Sequence, residues 1–194
     1  MTERGQNRHL DGPLIVLDAG HGGGDLGSHT KFLKEKSATL LMTLMTKRYL
    51  NDKGYRVIMT RSRDVFVPLK ERAAIANRLD TKAFVSIHFN AHRNTTAHGI
   101  EVYYYPSKKQ DRLKSSRQMA QSVLQRLLSN TGAVSRGVKK GNFCVIRETN
   151  MPAILIEGGF ITNPSEGKKI ATNQYLDTLA RAAAEGIDRY FKHQ

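Results

Sequence analysis

Hydrophobic and polar positions divide the chain into two alternating kinds of segment. Short apolar runs at residues 14–17, 55–59, 83–87, 143–146 and 153–156 are bounded by glycine, proline or polar clusters and predict buried strands. Residues 99–105 alternate well enough to predict another strand, which Pro106 ends. Between these runs the apolar spacing turns helical. Leu40, Leu41, Leu44 and Met45 predict a helix over 36–52 with Gly54 as its stop, and Ala73, Ala74 and Ala76 one over 69–79. Met119, Val123, Leu124 and Leu127 predict a helix over 112–129, and Leu176, Leu179, Ala180, Ala183 and Ile187 a closing one over 173–191. Strands alternating with helices predict an α/β fold with a largely parallel sheet covered by helices on both faces. No repeat, low-complexity tract or linker interrupts the pattern, so a single domain over 14–192 behind a polar tail at 1–13 is expected.

Composition narrows the class. A chain of 194 residues suits one sizeable core, and 39% hydrophobic with 25% charged residues is a globular balance, not a disordered one. No apolar run approaches the roughly 18 residues of a membrane span. The polar first 13 residues lack the apolar stretch of a signal peptide, so the expectation is either synthesis without one or an excised domain. The formal net charge of +14 favours a polyanionic partner such as nucleic acid, acidic lipid or an anionic cell-wall polymer, with a merely solvated surface as the plain alternative. The basic residues are scattered, without the aromatic interleaving or reading motif of a nucleic-acid binder. Cys144 stands alone, which rules out an internal disulfide, and its apolar neighbours Phe143, Val145 and Ile146 predict a core thiol. Any metal site must therefore use His, Asp and Glu.

Such residues occur where strands end. In open α/β sheets, sites form beyond the carboxyl ends of the strands. Leu14-Ile15-Val16-Leu17 runs on to Asp18 and His21, Phe84-Val85-Ser86-Ile87 to His88, and Ile154-Leu155-Ile156 to Glu157. Parallel neighbouring strands would bring these ends to one patch. Two imidazoles and a carboxylate suit zinc, with a fourth position left for water. Glu35, at the start of the first long helix, is a further candidate, although Lys34-Glu35-Lys36 by itself reads more readily as a surface ion pair. Asp18 could orient an imidazole. Gly22-Gly23-Gly24-Asp25-Leu26-Gly27 formally fits the dinucleotide pattern G-x-G-x-x-G. No helix begins there, however, and Lys47 and Arg48 stand where an acid is needed, so nucleotide binding is rejected.

Seven segments in order resemble one family. They are 15–23 (Ile15 to Gly23, with His21), Glu35-Lys36, 57–61 with Asp64, 69–77, Ser86-Ile87-His88-Phe89-Asn90-Ala91, 99–104, and 151–163 around Glu157. The chain is similar from about residue 14 to 191 to the zinc-dependent N-acetylmuramoyl-L-alanine amidases of bacteria and their phages, the Amidase_3 type. The resemblance implies a sheet of about six strands and one zinc ion held by His21, Glu35 and His88. It also implies Glu157 as catalytic acid/base, with Asp18, Asn90 and Arg61 as weaker candidates for supporting the ligands or positioning substrate. The implied substrate is peptidoglycan, at the amide between N-acetylmuramic acid and L-alanine. The implied place of action is the periplasm, cell wall or exterior, as a monomer whose charge favours anionic wall polymers.

The loop from Gly27 to Glu35 is shorter, more basic and poorer in glycine than is usual in the family. Some members carry a plugging helix after the strand matching 99–105. Here only residues 106–111 precede the next helix, so an open site is expected. The competing readings are a zinc peptidase or deacetylase acting elsewhere on the wall polymer, a non-catalytic wall-binding module, and a basic nucleic-acid binder.

Overall fold

The computed structural model describes residues 11–194; the first ten residues of the expected tail lie outside the described residues. The order is β1 (Leu14–Ala19), α1 (Glu35–Asp52), β2 (Arg56–Met59), α2 (Leu69–Asn77), β3 (Thr81–Asn90), β4 (Ile100–Tyr104), α3 (Gln110–Thr131), β5 (Ser135–Lys140), α4 (Cys144–Arg147), β6 (Ala153–Phe160), α5 (Pro164–Ile170) and α6 (Asn173–Lys192). The strands form one sheet in the order β2-β1-β3-β6-β4-β5. β2, β1, β3 and β6 are mutually parallel, and β4 pairs antiparallel with β6 and parallel with β5.

Alternation along the central strands makes two cores. Ile15, Leu17, Val85, Ile87, Ile154 and Ile156 face one side, where Met42 of α1, Val123 and Leu127 of α3, and Leu179 and Ile187 of α6 cover them. Val16, Phe84, Ala153 and Leu155 face the other, beneath Ala76 of α2 and Val145 and Ile146 of α4. Helices thus cover both faces, as an almost wholly apolar parallel sheet requires.

Three expectations about elements are corrected. Residues 143–146 are not a strand: α4 occupies Cys144–Arg147. A four-residue apolar run has no period by which strand and helix differ. The sixth strand is instead Ser135–Lys140, which the apolar pattern missed because an edge strand paired on one side needs no buried run. Its Lys139, Lys140 and Gly137 (φ 87°) are residues that discourage further pairing. The helix α5 was also missed. Asn163 caps it, accepting from Ser165 N and Glu166 N at 3.0 Å each, and Pro164 opens it, a signal present in the sequence.

What holds the chain as it leaves β1 is ionic. Asp18 is fully buried, and its carboxylate accepts from Thr60 Oγ1 (2.6 Å), Ser86 Oγ (2.7 Å) and Arg72 Nη1 (2.9 Å). Arg72 also donates to the carbonyls of Ala19 (2.6 Å), His21 (2.8 Å) and Val67 (2.8 Å). Arg61 donates to those of Ala19 (2.9 Å), Gly20 (2.8 Å) and Lys36 (2.8 Å). Removing the acid strands the Arg72 guanidinium in the interior. Asp18→Ala is expected to lower unfolding free energy by about 3–5 kcal/mol, read from urea denaturation; a loss under about 1 kcal/mol would show the pair to be dispensable.

Candidate active site

The parallel pairing places His88 directly beside Glu157, in register on β3 and β6. Both strands run further than the apolar pattern suggested, so these residues lie within strands, with Asn90 and Phe160 beyond them. His21 sits two residues past β1 in a left-handed conformation (φ 61°), and among the described non-glycine residues it alone has positive φ. Backbone strain of this kind persists only where the surroundings enforce it. Here Arg72 grips the His21 carbonyl, and Gly22 and Asp25 exchange backbone hydrogen bonds at 2.9 and 3.1 Å to close the turn.

Glu35 opens α1, where the helix dipole favours an anion, and its side chain is only 4% exposed. Its Oε1 lies 3.0 Å from His21 Nε2 and 3.1 Å from His88 Nδ1, and also accepts from Phe89 N at 3.1 Å. Oε2 accepts from Ser28 N at 2.8 Å. Ligand atoms of His21, Glu35 and His88 all fall within 4.8 Å of one another, an arrangement able to hold a metal ion. Two glycines make room for it. A Cβ on Gly20 would lie 2.3 Å from His88 Cε1, and one on Gly27 2.6 Å from the His21 ring and 2.7 Å from Glu35 Oε2.

The acids sit in contrasting fields. Burial pulls Glu35 upward, but hydrogen bonds and charge from the two imidazoles outweigh it and hold the carboxyl far below its ordinary range. Burial likewise pulls His21 downward, yet Glu35 and Asp25 raise it overall. Burial first, then the negative charges of Glu35 and Glu101, push the Glu157 carboxyl well above the usual carboxylate range. Its Oε2 is buried without a hydrogen-bond partner.

The weaker candidates separate. Asp18 does not orient an imidazole, because its carboxylate is spent on Thr60, Ser86 and Arg72. The orienting acid is Asp25, which sequence reasoning overlooked: its Oδ2 lies 2.9 Å from His21 Nδ1 and leaves Nε2 to face Glu35. Arg61 is buried among backbone carbonyls and does not line the cleft. Asn90 lines the cleft and donates to Glu101 Oε1 at 2.7 Å. The cleft, of about 380 Å³, is lined by the cluster, Glu157, Asn90, Leu155 and, from the α4 side, Phe143, Cys144 and Val145. Cys144 is thus a half-buried cleft residue and not a core thiol.

A cleft at the carboxyl ends of parallel strands, with two imidazoles and a carboxylate gathered beside a buried acid, defines an α/β protein with a candidate mononuclear metal site. Comparison with known proteins makes the class specific. The chain belongs to the N-acetylmuramoyl-L-alanine amidase family, whose model matches residues 15–189. It is 34% identical to the N-acetylmuramoyl-L-alanine amidase LytC of Bacillus subtilis over 93% of its own length, but spans only 36% of that relative. Among solved structures, an N-acetylmuramoyl-L-alanine amidase from Clostridium difficile 630 superposes with a TM-score of 0.89 at 37% identity, covering 94% of this chain and 98% of that one. An amidase of Nostoc punctiforme gives 0.86 at 36% identity, covering 93% and 97%.

Partners that hold a ligating imidazole by its other nitrogen typically contribute 10–100-fold to metal affinity. Asp25→Ala is expected to weaken binding of an added metal ion by that factor, read with zinc in competition with a chromophoric chelator. Unchanged affinity would remove the orienting role.

Proposed function

We propose that residues 14–192 form a zinc-dependent catalytic domain that hydrolyses the amide between N-acetylmuramic acid and L-alanine in peptidoglycan, acting as a monomer in the periplasm, cell wall or exterior. That the chain is an amidase acting on the cell wall follows from its family. The observation that carries the mechanism is the pairing of a three-ligand cluster with an adjacent buried carboxyl whose Oε2 has no partner. Imidazole nitrogens and a single carboxylate oxygen are the donor set zinc takes when a site stays open to substrate. His21, Glu35 and His88 would hold the zinc ion, which would supply Lewis acidity toward the amide carbonyl and toward water.

The chain's own residues do the rest. Glu157 takes the proton from the attacking water and hands it to the departing amine, a task for a carboxyl poised above its ordinary range. Asp25 keeps His21 facing the cluster. Leu155, Val145 and Phe143 form an apolar wall of the cleft beside the cluster.

Removing a general acid/base of this kind typically costs 10²–10⁴-fold. Glu157→Gln is expected to keep stoichiometric zinc while release of L-alanine amino termini from purified peptidoglycan falls by roughly that factor; wild-type turnover would refute the role. A deacetylase would free sugar amines instead, which the same end-group analysis separates. β4 and α3 are joined by residues 105–109 alone, so no helix follows β4 to fill the cleft. The pure zinc-loaded protein is therefore expected to digest isolated walls without an activator. Its inactivity there, restored by a partner protein, would contradict the open-site reading.

A further inference from the structure

The sheet continues beyond the cleft in a direction the reaction itself does not use. β4 lies next to β6 with Glu101 directly opposite Glu157, and β5 lies beyond it with Lys139 opposite Tyr103. Side chains at alternate positions share a face, so Glu101, Tyr103 and Lys139 stand on the face that carries Glu157. An aromatic pair bridges cleft and shelf. Phe143, a cleft wall, meets the Tyr103 ring edge-on at 5.0 Å between centroids, and Lys139 Nζ lies 6.0 Å from the Tyr103 centroid.

Glu101 is the centre of this shelf. Its side chain is 2% exposed. Oε1 accepts from Asn90 Nδ2 (2.7 Å) and the Tyr103 hydroxyl (2.8 Å), and Oε2 from Arg136 Nε (3.0 Å) and Lys139 Nζ. Burial opposes its charge, but the donors from Lys139, Tyr103 and Arg136 outweigh it and keep it ionised.

The two cations differ from the acid in exposure. The side chains of Arg136 and Lys139 are 36% and 38% exposed. One buried negative charge thus fixes two half-exposed positive ones, leaving a surplus of one positive charge on a rigid edge beside the cleft. Gly137 stands between them in sequence, and a Cβ placed there would meet nothing within 4 Å, so no side chain crowds that position, while Arg136 also rests on the Phe160 ring at 4.8 Å. Charge neutrality alone would have required a single cation. Two, pre-positioned by a buried anion and left accessible, make a site for a second anion at the low ordering cost that preorganisation gives.

We propose that Lys139 and Arg136, held by Glu101, form a subsite that recognises a carboxylate of the peptide attached at the scissile amide, reached from the cleft along Phe143 and Tyr103. The proposal rests on the amidase reading: the peptide is the part of the substrate that carries carboxylates. It makes Lys139 and Arg136 specificity determinants and Glu101 a positioning residue, none of them touching the reacting atoms.

The test compares purified peptidoglycan, stripped of other wall polymers, with the same material after its carboxylates have been converted to carboxamides. Initial release of L-alanine amino termini is read at low substrate. Hydrogen bonds to a charged group at a partly exposed site lie at the weak end of their range, so the zinc-loaded wild type is expected to prefer the acid form by roughly tenfold. The preference should shrink as salt rises. Lys139→Met should bring the acid-to-amide ratio close to one, and Lys139→Arg should restore most of it, which a merely structural lysine would not require. Equal rates on the two substrates by the wild type would overturn the proposal. So would a preference that survives in Lys139→Met combined with Arg136→Gln. If native peptidoglycan itself is not cut, the amidase reading fails, and this proposal falls with it.

Discussion

The site depends on one buried ion pair and the backbone it controls. Where β1 ends, the chain must turn from a fully buried strand into a loop that carries His21, and the carbonyls of Ala19, Gly20 and His21 point into the interior as it does so. Buried carbonyls left unpaired would each cost free energy comparable to a lost hydrogen bond. Arg72 and Arg61 satisfy all three. Two guanidiniums packed there repel each other, and both burial and the charge of Arg72 lower the Arg61 pKa. Asp18 is the counter-charge that makes the arrangement tolerable. Through these contacts α2 and the segment after β2 grip the loop that holds a candidate ligand.

Three glutamates show how environment divides labour among identical side chains. Glu35 is pinned ionised between two imidazoles at a helix start, which suits a ligand. Glu157, in register beside His88, is raised above the usual carboxylate range first by burial and then by the charges of Glu35 and Glu101, which suits a group that takes up a proton and passes it on. Glu101 is one strand further on and itself buried, yet four donors keep it charged, so it serves as an anchor. Placing Glu101 opposite Glu157 also means that the anchor helps to set the carrier's field. The antiparallel turn of β4 against an otherwise parallel neighbour makes that juxtaposition possible.

Much of this was legible in the chain. Apolar runs located five strands and four helices, and strand ends alone pointed to His21, His88 and Glu157. Glu35 was not separable from a surface ion pair without the family likeness, because its burial comes from a loop folding back on it: Ser28 N caps the carboxylate and Glu35 N donates to Ser28 O at 2.9 Å. β5 was invisible because hydrophobic alternation records burial, and this edge strand buries none of its six residues fully. The orienting role expected of Asp18 falls to Asp25 because proximity in sequence to a strand end says nothing of direction. Asp18 points between strands toward Arg72, whereas Asp25 returns to His21 through a turn that only the left-handed His21 and the following glycines allow.

The loop between Gly27 and Glu35 is closed by its own hydrogen bonds and not by extra glycines. His29 and Lys34 form an antiparallel bridge, Thr30 N donates to Leu33 O at 2.8 Å, and the base is tied down at Ser28 and Glu35. A loop closed on itself in this way needs no glycine beyond Gly27, whose positive φ (64°) and missing side chain let His21 and Glu35 approach. The constraint that assembles the cluster is therefore local at Gly27 and long-range at Arg72, and the two meet at His21.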